Sequence, residues 1–191
     1  MAQAYAPDLD LRGVVAIAPA GELATLLGAA ATVPQAFGFL VAVAAAWNAS
    51  YPEATLESLL KPEAISLVDS VEKVCIAGVL LTYANPPPGG FLEASPNAIE
   101  PWKSLIEENT PGAVKTVAPI FIVQGGRDSL VPAVTTEALR MRLCARGDTV
   151  DLRSYPLDDH ISILSGSAAD VTRWTSDRLD GTGTDGSCAP R

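Results

Sequence analysis

Val117-Ala-Pro-Ile-Phe-Ile-Val-Gln-Gly-Gly-Arg-Asp128 is an apolar run that stops at a glycine pair and a carboxylate. The run Val117 to Val123 reads as a strand buried on both faces, the kind found in parallel sheets. Pro119 belongs near its start, where a missing N–H is tolerated. Downstream, Val134 to Ala145 has the spacing of an amphipathic helix and is followed by Gly147. Thr149-Val-Asp-Leu-Arg-Ser-Tyr155 alternates, which places a shorter strand nearer the sheet edge, and Ala168 to Leu179 reads as a closing helix. Strand, helix, strand, helix in that order makes a βαβ unit of an α/β fold. Upstream, Gly13-Val-Val-Ala-Ile-Ala18, stopped by Pro19, reads as a further buried strand.

The stretch from Gly21 to Gly112 breaks this rhythm. Its helix candidates are Glu22–Ala31, Pro34–Asn48, Leu56–Leu60, Pro62–Val68 and Val71–Tyr83, with proline-rich breaks at Pro86-Pro-Pro-Gly-Gly90 and Ser95-Pro96. Roughly 90 residues of helix between two strands is far longer than an ordinary crossover, so an inserted helical cap is expected. Four segments follow: residues 1–20 with the first strand, 21–112 the helical insertion, 113–179 the βαβ core, and 180–191 a flexible tail.

The whole chain has 191 residues, 48% of them hydrophobic and 18% charged. A chain this apolar offsets its ordering entropy by burial, so it folds. Thirteen basic against 22 acidic residues, a net charge of −9, argues against non-specific binding to nucleic acid or anionic membranes. The longest clean apolar run, Ala36 to Trp47, has 12 residues, short of the roughly 20 a bilayer span requires, so no stable membrane insertion is expected. The segment Met1 to Asp10 has neither a basic n-region nor an apolar h-region and does not read as a signal peptide.

The histidine count is one, His160. That excludes a multi-histidine metal site, and the cysteines Cys75, Cys144 and Cys188 lack the C-x-x-C spacing that zinc favours. Neither a metal nor a cofactor is expected. Cys188, in a Gly/Thr/Asp/Ser tail, reads equally as a free thiol or as one end of a staple. A Cys144–Cys188 bridge would contribute about 4 kcal/mol through loop entropy.

In a parallel sheet, side chains just past the carboxyl ends of the strands converge on one edge. Asp128 follows one strand there and His160 follows its neighbour. A carboxylate bonded to one imidazole nitrogen fixes the tautomer and frees the other nitrogen as a general base. Asp158 and Asp159 are weaker candidates for the acid, since neighbours that close rarely point at the ring. A nucleophile is missing. The sequence contains no G-x-S-x-G elbow, and Ser129, Ser162, Ser165 and Ser167 do not lead from a strand into a helix. Cys144 ends a helix, Cys75 is expected within one, and Gly125-Gly126 is too short for a phosphate loop.

In order, Tyr5 to Pro19, Glu108-Asn-Thr-Pro-Gly112, Ala118 to Pro132, Leu143-Cys-Ala-Arg-Gly147 and Tyr155-Pro-Leu-Asp-Asp-His160 resemble the C-terminal half of the secretory lipases. These are capped α/β-hydrolases of bacteria and fungi. The resemblance implies a partial α/β-hydrolase fold, with the last three parallel strands, their flanking helices and an inserted helical cap. It implies ester hydrolysis of acylglycerols or other apolar esters, with Asp128 as triad acid and His160 as base. Phe37, Phe39 and Trp47 could then face an acyl chain, or could pack the interior of the cap. The resemblance favours the Cys144–Cys188 bridge, would pair Cys75 with an upstream cysteine, and implies secretion. In that family the serine comes from the half before the sixth strand, so the chain reads as truncated, inactive alone and in need of that half as a partner. A non-catalytic module that binds lipid or a protein partner is the alternative.

Overall fold

Runs of β-branched residues at 14–17 and 120–123 fold as the sequence dictates. The structure, a computed structural model, describes residues 5–188. These fall into two units.

The first unit comprises the described residues up to Glu22 and from Pro111 onward. Its sheet has three parallel strands in the order β1 (Val14–Ile17), β2 (Ile120–Gly125) and β3 (Val150–Tyr155). Val14 stands beside Ile120, and Ile120 beside Val150. Alternation along the strands sorts side chains to two faces. Phe121 and Val123 pack with Ile163 and Trp174, the Phe121 and Trp174 rings stacking at 5.5 Å. Ile120 and Ile122 pack on the other face with Leu139 and Leu143, one helical turn apart on α8 (Ala133–Ala145). Each such side chain contributes about 1.5–3 kcal/mol on burial.

All six residues of β2 are buried. The run in β1, expected to be buried on both faces, is instead half-exposed throughout. The reason is that β1 has a strand on one side only among the described residues.

Residues 186–188, at the far end of the described part of the segment expected to be a flexible tail, lie against the outer side of β3. There the Ser187 amide donates to the Val150 carbonyl, and the Leu152 amide donates to Ser187 Oγ at 3.1 Å. Arg140 donates to the Ser187 carbonyl at 3.0 Å. Cys144 and Cys188 are joined, S–S 2.05 Å and Cα–Cα 5.3 Å, and both side chains lie against the α8 face of the sheet. Residues 189–191 of the expected tail lie outside the described residues.

The second unit, Leu23–Thr110, is helical: α1 (Leu23–Ala30), α2 (Phe37–Ser50), α3 (Leu56–Leu59), α4 (Pro62–Ile65), α5 (Ser70–Lys73), α6 (Ile76–Tyr83) and α7 (Trp102–Asn109). No single helix is long and apolar enough to cross a membrane among the described residues, and the apolar stretch bends by 119° between α1 and the segment that starts at Pro34. A Cβ on Gly38 would come within 2.9 Å of the Leu80 Cα. The absence of a side chain there lets α2 and α6 pack backbone to backbone.

Two expectations for this unit are corrected. Val71–Tyr83 is not one helix, because it breaks at Val74 and Cys75; Cys75 precedes α6 in extended backbone and is exposed. Helix α7, whose Trp102, Leu105 and Ile106 have the i, i+3, i+4 spacing of a buried face, was not among the expected helices.

Candidate active site

The carboxyl ends of β2 and β3 lead into two loops that are packed backbone against backbone. A Cβ on Gly125 would lie 2.6 Å from the Asp158 carbonyl oxygen, and one on Gly126 would lie 2.8 Å from the Pro156 Cα. With no side chains in the way, the Gly126 amide donates to the Tyr155 carbonyl (2.8 Å) and the Arg127 amide to the Asp158 carbonyl (2.9 Å). The glycine pair therefore joins the loop after β3 to the loop after β2.

This joining sets Asp128 Oδ2 2.8 Å from His160 Nδ1. The Asp128 side chain is fully buried, whereas that of His160 is 32% exposed. Oδ1 of Asp128 accepts the amides of Leu130 (2.9 Å) and Val131 (2.7 Å), which fixes the carboxylate in its turn. A carboxylate oxygen accepts, so in this pair Nδ1 carries the proton and Nε2 is left as the acceptor. Among the described residues Nε2 has no hydrogen-bond partner. A buried acid behind a partly exposed imidazole is the arrangement a general base requires.

The neighbouring acids do other work. Asp159 Oδ1 accepts the amides of Ile161 and Ser162, at 2.9 and 2.8 Å, and these bonds hold its carboxyl below the usual range. Ser162 opens the short helix α9 (Ser162–Gly166). The Asp158 carboxylate lies over Gly166, where a Cβ would stand 2.5 Å from it. At the end of β3, the Tyr155 hydroxyl donates to Asp170 at 2.6 Å, on α10 (Ala168–Leu179). Burial first, and then that bond, push the Tyr155 phenol up to about 12. Bonds from Arg153 and Tyr155 hold the Asp170 carboxyl low.

Two residues not singled out in the sequence stand behind Asp128. Gln124, 2% exposed at the end of β2, points its Nε2 at Asp128 Oδ2 at 3.4 Å. The Thr136 hydroxyl, on α8, donates to Gln124 Oε1 at 2.6 Å. The available signal was a polar residue ending an otherwise apolar strand next to the acid loop.

Three of the four serines singled out near this edge bond locally. Ser167 Oγ donates to the Ile163 carbonyl, Ser165 Oγ to the Ser162 carbonyl, and Ser162 Oγ accepts the Asp159 amide. Among the described residues no group of three His, Cys, Asp or Glu side chains could hold a metal ion.

In the helical unit, Phe37 is buried against Phe91 (5.5 Å) and Tyr83 (5.9 Å). Together they wall a cleft of about 270 Å³. Trp47 stacks on Trp102 at 6.3 Å, and Phe39 is half-buried outside that core.

Residues 1–186 match the family model described as secretory lipase. The chain is 28% identical over 187 residues to a protein of Mycobacterium tuberculosis named a probable inactive lipase, with 93% of this chain and 41% of that protein covered. It is 27% identical over 190 residues to lipase A of Arthroderma benhamiae, covering 93% of this chain and 39% of that protein. The chain thus spans about two fifths of the length of the curated relatives it matches. Among solved structures, Candida antarctica lipase A in its closed state superposes with a TM-score of 0.80 at 19% identity, covering 96% of this chain and 45% of that one. The fold is accordingly that of the α/β-hydrolases.

Proposed function

This chain belongs to the secretory lipase family, and from that premise we propose that it carries the acid and base of a secreted carboxylic ester hydrolase for acylglycerols and other apolar esters. The observation that carries the reading is the 2.8 Å bond between buried Asp128 and His160 at the carboxyl edge of the sheet. In the reaction, His160 Nε2 takes the proton of a serine hydroxyl as that oxygen attacks the ester carbonyl. Asp128 stabilises the resulting imidazolium, which then gives the proton to the leaving alkoxide. These 191 residues hold no G-x-S-x-G, so the serine comes from polypeptide outside them that completes the sheet beside β1. Leu157, Ile161 and Leu164 are exposed on the segment carrying His160, which supports an apolar substrate. The Cys144–Cys188 bond supports an oxidising, extracellular setting.

The second reading is a non-catalytic module that binds lipid or a protein partner. The similarity to a relative named a probable inactive lipase favours it.

Hydrolysis of p-nitrophenyl esters separates the two. The purified chain is expected to show no turnover. Co-refolding it with a polypeptide that carries the serine elbow and remaining strands of a secretory lipase is expected to restore hydrolysis, and His160→Ala to remove it again. Hydrolysis by the chain alone, lost in His160→Ala, would overturn the external nucleophile. Restored hydrolysis that survives His160→Ala would overturn the base assignment. A co-refolded complex that binds acylglycerol without hydrolysing it would establish the second reading.

A further inference from the structure

Burying a primary amide at the end of a fully apolar strand is unfavourable unless each of its polar atoms is matched. Leucine would fill the same volume without that demand. Gln124 meets it completely. Its Nε2 donates to the Gly125 carbonyl (3.0 Å) and the Val131 carbonyl (3.0 Å), and faces Asp128 Oδ2 at 3.4 Å. Two carbonyls can only accept, so the nitrogen end of the amide is compelled to point at the acid loop. The oxygen end then needs a donor, and Thr136, itself fully buried, supplies one at 2.6 Å. Val131 is held from both sides, its carbonyl by Gln124 and its amide by Asp128 Oδ1. The amide thus ties the end of β2 to the turn that carries the acid, and sets its nitrogen 3.4 Å from the oxygen that receives His160.

We infer that Gln124 and Thr136 are positioning residues for ester hydrolysis, forming a buried line Thr136–Gln124–Asp128–His160 that sets the acid's orientation and through it the imidazole tautomer. The inference rests on reading Asp128 and His160 as acid and base. The alternative is a staple that stabilises the loop and leaves the ring unaffected.

The chain contains one histidine, so ¹⁵N-histidine labelling yields a single pair of imidazole nitrogen signals, whose shifts report the tautomer directly. The wild-type chain is expected to show the Nδ1–H form and to lose it in Asp128→Asn. Gln124→Leu is expected to lower the ratio of Nδ1–H to Nε2–H tautomers about tenfold, and the milder Thr136→Val by less, through loss of the hydrogen bonds that orient the acid. Thr136→Ser is expected to restore it. Amide spectra establish that each variant is folded; should Gln124→Leu fail to fold, Thr136→Val and its serine rescue carry the test. Folded variants with lowered urea midpoints and wild-type imidazole shifts would overturn the inference while leaving the acid and base in place. A wild-type ring indifferent to Asp128→Asn would overturn both.

Discussion

Gly125→Ala tests whether the joined loops set the active-site geometry. A Cβ at residue 125 would meet the Asp158 carbonyl oxygen at 2.6 Å and that of Asp159 at 2.9 Å. Both are backbone atoms and cannot swing aside as a side chain would. Ordinary contact begins at 3.4 Å, so the loop must retreat by about 0.8 Å at Asp158, two residues before His160. The 2.8 Å bond from His160 to Asp128 has no slack for such a shift, since a heavy-atom separation near 3.6 Å is no longer a hydrogen bond. Overpacking of this kind costs about 1–3 kcal/mol of stability. In a co-refolded hydrolase, a misplacement approaching 1 Å lowers kcat about 100-fold. Urea denaturation of the chain and kcat of the reconstituted complex measure the two effects. Gly183→Ala, with nothing within 4 Å of the added carbon, serves as the control and is expected to match wild type in both. Wild-type stability and kcat in Gly125→Ala would refute the argument that backbone contact between the loops positions His160.

Two further outcomes are expected. The Cys144–Cys188 bond spans a sequence separation of 44, so replacing both cysteines with serine should lower unfolding stability by about 4 kcal/mol in the chain-entropy model, read as a reduced urea midpoint that dithiothreitol does not lower further. Tyr83 is fully buried, donates to the Ala64 carbonyl at 3.0 Å, and has its phenol pushed up to about 12 by burial. The folded state therefore holds the proton more tightly than the unfolded chain, whose phenol titrates near 10. The associated stability is fully present below about pH 10 and is lost as pH rises to about 12, a fall of about 2–3 kcal/mol. A urea series from pH 9 to 12 should show this loss in wild type and a correspondingly smaller one in Tyr83→Phe, where Tyr155 still titrates.

Apolar runs bounded by proline and glycine carry their own punctuation, so the strands at 14–17 and 120–125 could be read from residues alone. Asp128 and His160 could be placed on one edge because parallel strands bring the residues after them to the same side. Gln124 could not be assigned a partner in this way, because its role depends on the chemistry of Val131 and Thr136 across a turn. The break at Cys75 was hidden for a different reason. The apolar spacing of a helix continues through Val71 to Tyr83, while the chain itself leaves helical backbone at Val74. Residues 180–187 have no periodicity, being Gly, Thr, Asp and Ser, so the return to β3 at Ser187 is set by the covalent bond of Cys188 and by hydrogen bonds that composition does not reveal.

The strap over β3 also bears on which edge of the sheet can take another strand. A strand edge with free amides and carbonyls invites pairing with another chain. Here the β3 side is occupied by Ser187 and pinned through Cys188, while the outer side of β1 pairs with no strand among the described residues. The start of the β3 edge, at the Val150 carbonyl and the Leu152 amide, is thereby closed to a further strand. While the strap is bonded, a strand that adds to this sheet is directed away from the start of β3 and toward the β1 side, the side that the proposed serine-bearing polypeptide extends.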